Sequence, residues 1–154
     1  MIKRNLLLLL VLLSVLTACS ALMGEEIARL PINGVSSPDS LIMKETSLNL
    51  KKGDEIAFWS EMDMAYEGDV GLRFRVEVLK DGEAHGGLEI DPTEKNITAG
   101  EVKTSLMGKT NWRFTGRNTS VDIDEDGNYT FKAILVASEN PSLVIEKAEL
   151  VIKK

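Results

Sequence analysis

The fold is decided by residues 72–78, LRFRVEV, in which leucine, phenylalanine and valine alternate with arginine and glutamate. Successive side chains of a β-strand point to opposite faces, so this alternation predicts a strand that is buried on one face and solvated on the other. Such strands are typical of antiparallel sheets that cover a core on one side only. The run ends at Asp81-Gly82, a pair that favours a turn.

The same period of two continues on both sides of this stretch. Upstream, residues 56–64 place most of their large apolar side chains in one phase, and downstream residues 129–135, YTFKAIL, alternate again. In the last run, residues 143–152, the apolar phase slips, which predicts a β-bulge near Glu146. The chain shows no convincing amphipathic helix.

Eight or nine such runs lie between residues 27 and 154, so we predict an all-β domain, a jelly-roll-like sandwich of two antiparallel sheets. Pro31 predicts that the first strand, residues 27–32, lies at a sheet edge, and Gly86-Gly87 predicts a bulge. A closed barrel would show the same period. Uneven strand lengths favour the sandwich, with the connection at residues 91–100 crossing between its sheets.

Two short stretches resemble secreted jelly-roll modules of the carbohydrate-binding and pre-peptidase C-terminal kind. They are residues 48–56, LNLKKGDEI, and residues 121–129, VDIDEDGNY. In those modules one such stretch opens a strand and the other ends in a Gly-x-Tyr turn. The resemblance implies a binding or accessory module, and it transfers no ligand residues to this chain.

The N-terminus has the composition of an export signal. Lys3 and Arg4 precede an apolar run that ends in Leu16-Thr17-Ala18-Cys19. These last four residues resemble the lipobox of bacterial lipoprotein precursors. The resemblance implies that residues 1–18 are removed and that Cys19 carries a diacylglycerol, with residues 19–26 as a short tether. Because Ser20 rather than aspartate follows the cysteine, it also implies the outer membrane where the host has one.

A second interpretation of the same segment is an uncleaved membrane anchor. Residues 5–24 carry no charge, a length that approaches the roughly 20 residues a spanning helix needs. Ser14, Thr17 and Ser20 dilute its second half, which favours the cleaved signal. Both interpretations place the rest of the chain on a membrane surface, facing away from the cytoplasm.

Charge and cysteine content exclude several functions. The net charge is −6, and removal of Lys3 and Arg4 with the signal lowers it by two, to −8. An acidic chain without a basic cluster argues against nucleic acid as a partner and against adsorption to anionic lipid. The only cysteine is Cys19, so we expect neither disulfides nor a cysteine-based metal site or nucleophile.

Acidic residues at alternate positions make a candidate metal site. Asp122, Asp124 and Asp126, followed by Gly127, resemble the first half of a helix–loop–helix calcium loop. The twelfth position of that loop should be a glutamate and is Ala133, and the flanks alternate like strands. We therefore predict an acidic hairpin turn without metal, and no cofactor.

Trp59 is the candidate centre of a ligand-binding face. If Ile56 and Phe58 face the core, Trp59 and Glu61 face outward, and a hairpin partner would present two arginines beside them. An exposed aromatic ring beside charged groups suits a sugar, whereas a covered tryptophan within a charge ladder is the structural alternative. The predicted ligand residues are Trp59, Glu61, Arg73 and Arg75.

The sequence favours binding over catalysis. His85 is the only histidine, lies beside two glycines, and is expected to be a solvated loop residue. No motif for a nucleophile, a zinc protease or a phosphate loop is present. We predict a non-enzymatic, lipid-anchored envelope module that contacts a glycan or a protein. The alternatives are a small hydrolase that uses two carboxylates and a structural subunit of an envelope complex.

Overall fold

The computed structural model describes residues 23–154, and the predicted signal, Cys19 and most of the tether lie outside them. The described part has nine strands. They are β1 (Glu26–Pro31), β2 (Met43–Leu50), β3 (Glu55–Glu67), β4 (Leu72–Lys80), β5 (Glu83–Ile90), β6 (Ile97–Leu106), β7 (Lys109–Asp122), β8 (Gly127–Ala137) and β9 (Val144–Lys153). No helix within residues 23–154 is long and apolar enough to cross a membrane.

The strands form two antiparallel sheets. One has five strands in the order β1-β9-β3-β7-β6, and the other has four in the order β2-β8-β4-β5. The predicted all-β architecture, a two-sheet sandwich of eight or nine strands, is confirmed. The strong alternation of β3, β4 and β8 explains it, because each of these strands buries one face between the sheets.

The core lies between the inner faces of the two sheets. Phe58 on β3 meets Phe131 on β8 edge-on, with ring centroids 5.8 Å apart. Offset and edge-on contacts of this kind add to the burial energy of aromatic rings. The apolar residues of β4 and the end of β9 complete the core, among them Leu72, Phe74, Val76, Leu150 and Ile152.

Two predicted irregularities are present in the register. Asp63 pairs with Lys147 and Met64 pairs with Ile145, which leaves Glu146 as the bulged residue of β9. Along β4, Val78 pairs with Gly86 and Leu79 with Ala84, so His85 is the extra residue of β5. The Asp81-Gly82 turn also forms, with both residues at positive φ, between β4 and β5.

The connection from β5 to β6 crosses between the sheets, as predicted, although it is shorter because β6 begins at Ile97. Asn118 on β7 fastens it: its Nδ2 donates to the carbonyl oxygens of Asp91 and Pro92, at 3.1 Å each, and of Glu94 at 2.8 Å. Its Oδ1 accepts a 2.6 Å bond from the fully buried hydroxyl of Ser60. Three backbone carbonyl groups of the crossing loop thus accept hydrogen bonds from one side chain of the five-stranded sheet.

The terminal residues of the described chain meet at one end of the sandwich, and an exposed turn lies at the other end. Glu25 and Lys154 exchange backbone hydrogen bonds of 2.8 Å, so the described chain starts and finishes at one end. Glu25, the first of these paired residues, lies directly before β1, which begins at Glu26. The exposed turn at Met107-Gly108 lies at the opposite end, beside the last residues of β3. At about 3.3 Å per residue along β3, this turn is about 40 Å from the paired residues Glu25 and Lys154.

Candidate functional site

The four predicted ligand residues do not share a face. Trp59 and Glu61 lie on β3 in the five-stranded sheet, whereas Arg73 and Arg75 lie on β4 in the four-stranded sheet. The predicted pairing of β3 with β4 is wrong, because β3 pairs with β7 and β9 instead. The short connection at residues 68–71 is an arch between the sheets rather than a hairpin loop.

Trp59 is not an exposed platform. Its side chain is only 1% exposed, whereas Phe58 beside it is fully buried in the core, as predicted. A bulge between these two residues interrupts the pairing of β3 with β7. Lys153 lies over the indole ring, its Nζ 4.2 Å from the centroid, and Nε1 has no hydrogen-bond partner among residues 23–154. The ring is therefore covered, which matches the structural alternative.

Glu61 belongs to a cluster of charges on the outer face of the five-stranded sheet. Arg29 Nη1 lies 2.9 Å from its Oε2, and Lys147 Nζ lies 2.6 Å away. Arg29 also pairs with Glu26 and Glu149. The hydrogen bond from Arg29 is the main reason that the pKa of Glu61 falls to about 2, against the opposing effect of burial. The carboxylate of Glu61 is therefore already bonded to side chains of the same protein.

Arg73 and Arg75 face outward on the other sheet and also have partners. Arg73 pairs with Asp91, and Arg75 Nε donates to Glu89 Oε1 at 3.0 Å. Arg75 lies in a row of residues that crosses the four-stranded sheet. The row is Met43, Ile134, Arg75 and Glu89, and the next row is Glu45, Lys132, Glu77 and Gly87.

The residues of these two rows other than Glu45 line a cavity of about 550 Å³ on the outer face of the four-stranded sheet. We call it the sheet groove and define it by Leu41, Met43, Arg75, Glu77, Gly86, Gly87, Glu89, Lys132 and Ile134. Leu41 is 67% exposed and Met43 45% exposed, so the apolar part of the groove faces water. Sequence reasoning missed this surface, although Ile134 stands visibly in the outward phase of β8.

The carboxylates of the sheet groove are each matched with a cation. Glu89 pairs with Arg75, and Lys132 Nζ lies 4.0 Å from Glu77. Both carboxylates of the groove therefore already have a cationic partner within the fold.

The acidic stretch is a connection between the sheets. β7 and β8 lie in different sheets, so the predicted hairpin is wrong, although the strand-like flanks of the stretch are confirmed. Asp126 accepts the backbone N–H of Lys52 at 2.8 Å, and Glu125 pairs with Lys80 at 2.7 Å. Within residues 23–154, no three His, Cys, Asp or Glu side chains are arranged to hold a metal ion.

His85 is exposed, as predicted, but it lies in β5 rather than in a loop. Its ring meets Tyr129 edge-on, with centroids 5.7 Å apart. Trp112 packs against Phe114 and is partly buried: the two ring centroids are 4.9 Å apart, and Trp112 Nε1 donates to Glu101. Neither His85 nor Trp112 lines the sheet groove.

Similarity to known proteins is distant. No protein-family model matches the chain, and no curated protein matches it. Among solved structures it is similar to part of a β-glucosidase from Paenibacillus barengoltzii, at 13% identity and a TM-score of 0.32. The match covers 80% of this chain and 10% of the glucosidase chain.

Proposed function

We propose that this chain is a lipid-anchored, non-enzymatic module of a bacterial cell envelope that docks a protein partner on its sheet groove. The anchor is Cys19, on the lipobox resemblance of residues 16–19. The location is the outer membrane in hosts that have one. Two or three acyl chains hold a protein at a membrane without help from its charge, which suits a mature chain of net charge −8.

The observation that carries the proposal is the exposed apolar strip of the sheet groove. The side chains of Leu41 and Met43 are exposed to solvent. Ile134 on β8 is the register partner of Met43 on β2. Apolar surface next to polar residues marks interaction sites on soluble domains. Protein interfaces have this composition, an apolar centre inside a polar rim, and here Arg75, Glu77 and other charges of both signs supply the rim.

A protein suits the groove better than a glycan does. Stacking on a pyranose requires an accessible aromatic ring, and no aromatic residue lines the groove. Trp59, the aromatic residue expected to do this, is buried in the other sheet. Paired charges of both signs instead offer complementary contacts to the polar rim of a protein partner and select against wrong partners.

Site-specific photo-crosslinking in the intact envelope tests the proposal. A benzophenone amino acid at Met43 of the full, acylated chain should yield one discrete adduct with another protein. The same probe at Val102, which is 64% exposed on the five-stranded sheet, is the matched control and should yield none. Identical adducts from both positions, or none from Met43, would contradict docking on the groove.

A pair of substitutions separates protein from glycan. Met43→Asp should abolish co-purification of the partner that crosslinking identifies, and Val102→Asp should leave co-purification intact, because only Met43 belongs to the groove. Sedimentation of the purified acylated protein with peptidoglycan provides the other arm. Saturable sedimentation that Met43→Asp removes would show that the groove takes a glycan and would overturn the protein proposal.

A further inference from the structure

A second cavity opens at the edge of the sandwich, between β5 of one sheet and the end of β7 of the other. Its volume is about 170 Å³, and we call it the edge cleft. Its inner wall consists of apolar core residues, among them Ile56, Phe58, Val78, Tyr129 and Phe131. The sheet groove lies on the opposite face of β5, and the two cavities share Gly86 and Gly87 as the strand between them.

The cleft is open because β5 lacks side chains where it passes the core. Gly86 and Gly87 line it, and a Cβ added at Gly86 would meet no atom within 4 Å. The bulge at His85 falls immediately before them. β5 is also an edge strand of the four-stranded sheet, so no further strand of residues 23–154 covers the opening. Bulges and glycines at sheet edges commonly mark places where another molecule approaches the backbone.

The size and lining of the cleft fit one aromatic ring. A dry cavity of about 150 Å³ lined by leucine, isoleucine and phenylalanine is large enough to bind benzene. The edge cleft is slightly larger, and its accessible apolar lining includes Leu88 and Val121, which are only partly buried. Burial of an apolar ring there would be favourable at roughly 25 cal/mol for each Å² removed from water.

The mouth of the cleft is acidic. Asp122 and Asp124 lie on its rim, both exposed. Their neighbours Glu125 and Asp126 are paired with Lys80 and Lys51, whereas neither rim carboxylate has an ionic partner in the described part of the chain. The other ionisable rim group is His85. An apolar interior behind two unneutralised carboxylates is complementary to a hydrophobic cation.

We propose that the edge cleft binds a small arylalkyl amine, with its ring against Leu88 and Val121 and its ammonium group facing Asp122 and Asp124. This site goes beyond docking of a protein on the sheet groove and does not depend on it. The ring supplies the burial energy, and the two carboxylates select the charge. An anion of the same shape meets like charge at the mouth and binds less well.

Three probes of matched shape test the charge selection. The full chain in detergent is titrated with 2-phenylethylamine, 2-phenylethanol and 3-phenylpropionate, and binding is followed by calorimetry and by shifts in amide NMR resonances. We expect the ammonium compound to bind at least tenfold more tightly than the carboxylate, with the alcohol between them. Equal affinities, or no binding of the amine at millimolar concentration, would overturn the proposal.

Substitutions locate the binding. Gly86→Leu should occlude the mouth and abolish binding, and Gly100→Leu on β6 is the matched control, because its added Cβ also meets nothing within 4 Å. The double variant Asp122→Asn, Asp124→Asn should reduce the affinity for the amine to that for the alcohol. This double change is at exposed positions and tests the site even if Gly86→Leu does not fold. Undiminished preference for the amine in it would refute the proposed mouth.

Discussion

Arg29 Nη1 on β1 lies 2.9 Å from Glu61 Oε2 on β3, and the ion pair reaches across the intervening strand β9. Lys147 and Glu149 on β9 stand between these strands and join the cluster. Isolated surface ion pairs contribute little to stability, but a network with well-placed guanidinium bonds contributes more. This cluster ties the edge strand, which directly follows the predicted tether, to the centre of the five-stranded sheet.

The ion pair makes stability depend on pH in the acid range. The pKa of Glu61 is about 2 in the folded chain and near its ordinary value when unfolded, because Arg29 stabilises the carboxylate. A depressed folded-state pKa contributes stability above the unfolded pKa, and that stability is lost as the pH falls through the folded pKa. We expect a loss of about 1–2 kcal/mol between pH 5 and pH 2 after screening by solvent.

Urea unfolding at several pH values measures this loss. Glu61→Gln should remove the share of the pH dependence that Glu61 contributes, whereas other carboxylates with a lowered pKa, such as Glu26 and Asp54, keep theirs. Asp63→Asn on the same strand is the control, because Asp63 pairs with Arg113, whose side chain is largely exposed. If the two variants retain the same acid dependence as the parent chain, the cluster does not stabilise the fold.

Alternation along the chain predicted which residues face the core but not which strands pair. Residues 72–78 bury the predicted face, and the phase slip at Glu146 is a real bulge. These features depend on neighbouring residues only. The partners of β3 are β7 and β9, far away in sequence, and a short connection such as residues 68–71 fits either a hairpin or an arch. Local pattern does not distinguish the two.

The same limit explains why the predicted ligand-binding face around Trp59 and Glu61 does not form. Trp59 has the outward phase of its strand, but Lys153 from the end of the chain covers its ring. Glu61 looks free in the sequence and is held by Arg29 and Lys147. The sheet groove, by contrast, had a visible sign in Ile134, which follows the polar residues Thr130 and Lys132 in the outward phase of β8. Its other apolar residues come from β2 and the loop before it, so only the fold brings them together.

Truncation of either Phe58 or Trp59 should be strongly destabilising. Both are buried, on opposite faces of β3, so Phe58→Ala and Trp59→Ala should each cost about 3–5 kcal/mol. Chemical unfolding of the mature chain gives both values. Met43→Ala, at a half-exposed position, is the control and should cost well under about 1 kcal/mol. A similarly small cost for Trp59→Ala would restore the exposed aromatic face that the sequence first suggested.

Cys19→Ala should abolish lipidation. The lipobox resemblance assigns the diacylglycerol to this thiol and the cleavage to the bond before it. The variant should take up no labelled palmitate and accumulate as the uncleaved precursor, whereas Ser20→Ala should be processed normally. Mass spectrometry of the N-terminus reads the outcome. Recovery of the wild-type protein with residues 1–18 still attached would favour the spanning anchor.

Calcium should leave the stability of the mature domain unchanged. The side chains of Glu125 and Asp126 already bond to Lys80 and to the turn at Lys51-Lys52. Thermal unfolding with and without millimolar calcium should agree to within about a degree. A ligand that binds only the native state must raise the unfolding temperature. A clear upward shift that Asp124→Asn removes would therefore show a calcium site in this loop.

Asn118→Ala should loosen the crossing loop at residues 91–96. The amide of Asn118 serves three loop carbonyls and accepts from the buried Ser60, so its removal leaves that hydroxyl unsatisfied in the sheet. An unsatisfied buried polar group costs about 1–3 kcal/mol. Hydrogen exchange of residues 91–96 should become faster, and the free energy of unfolding should fall by a similar amount. Asn111→Ala, at an exposed position on the same strand, should change neither quantity, and equal exchange in the two variants would show that Asn118 does not hold the loop.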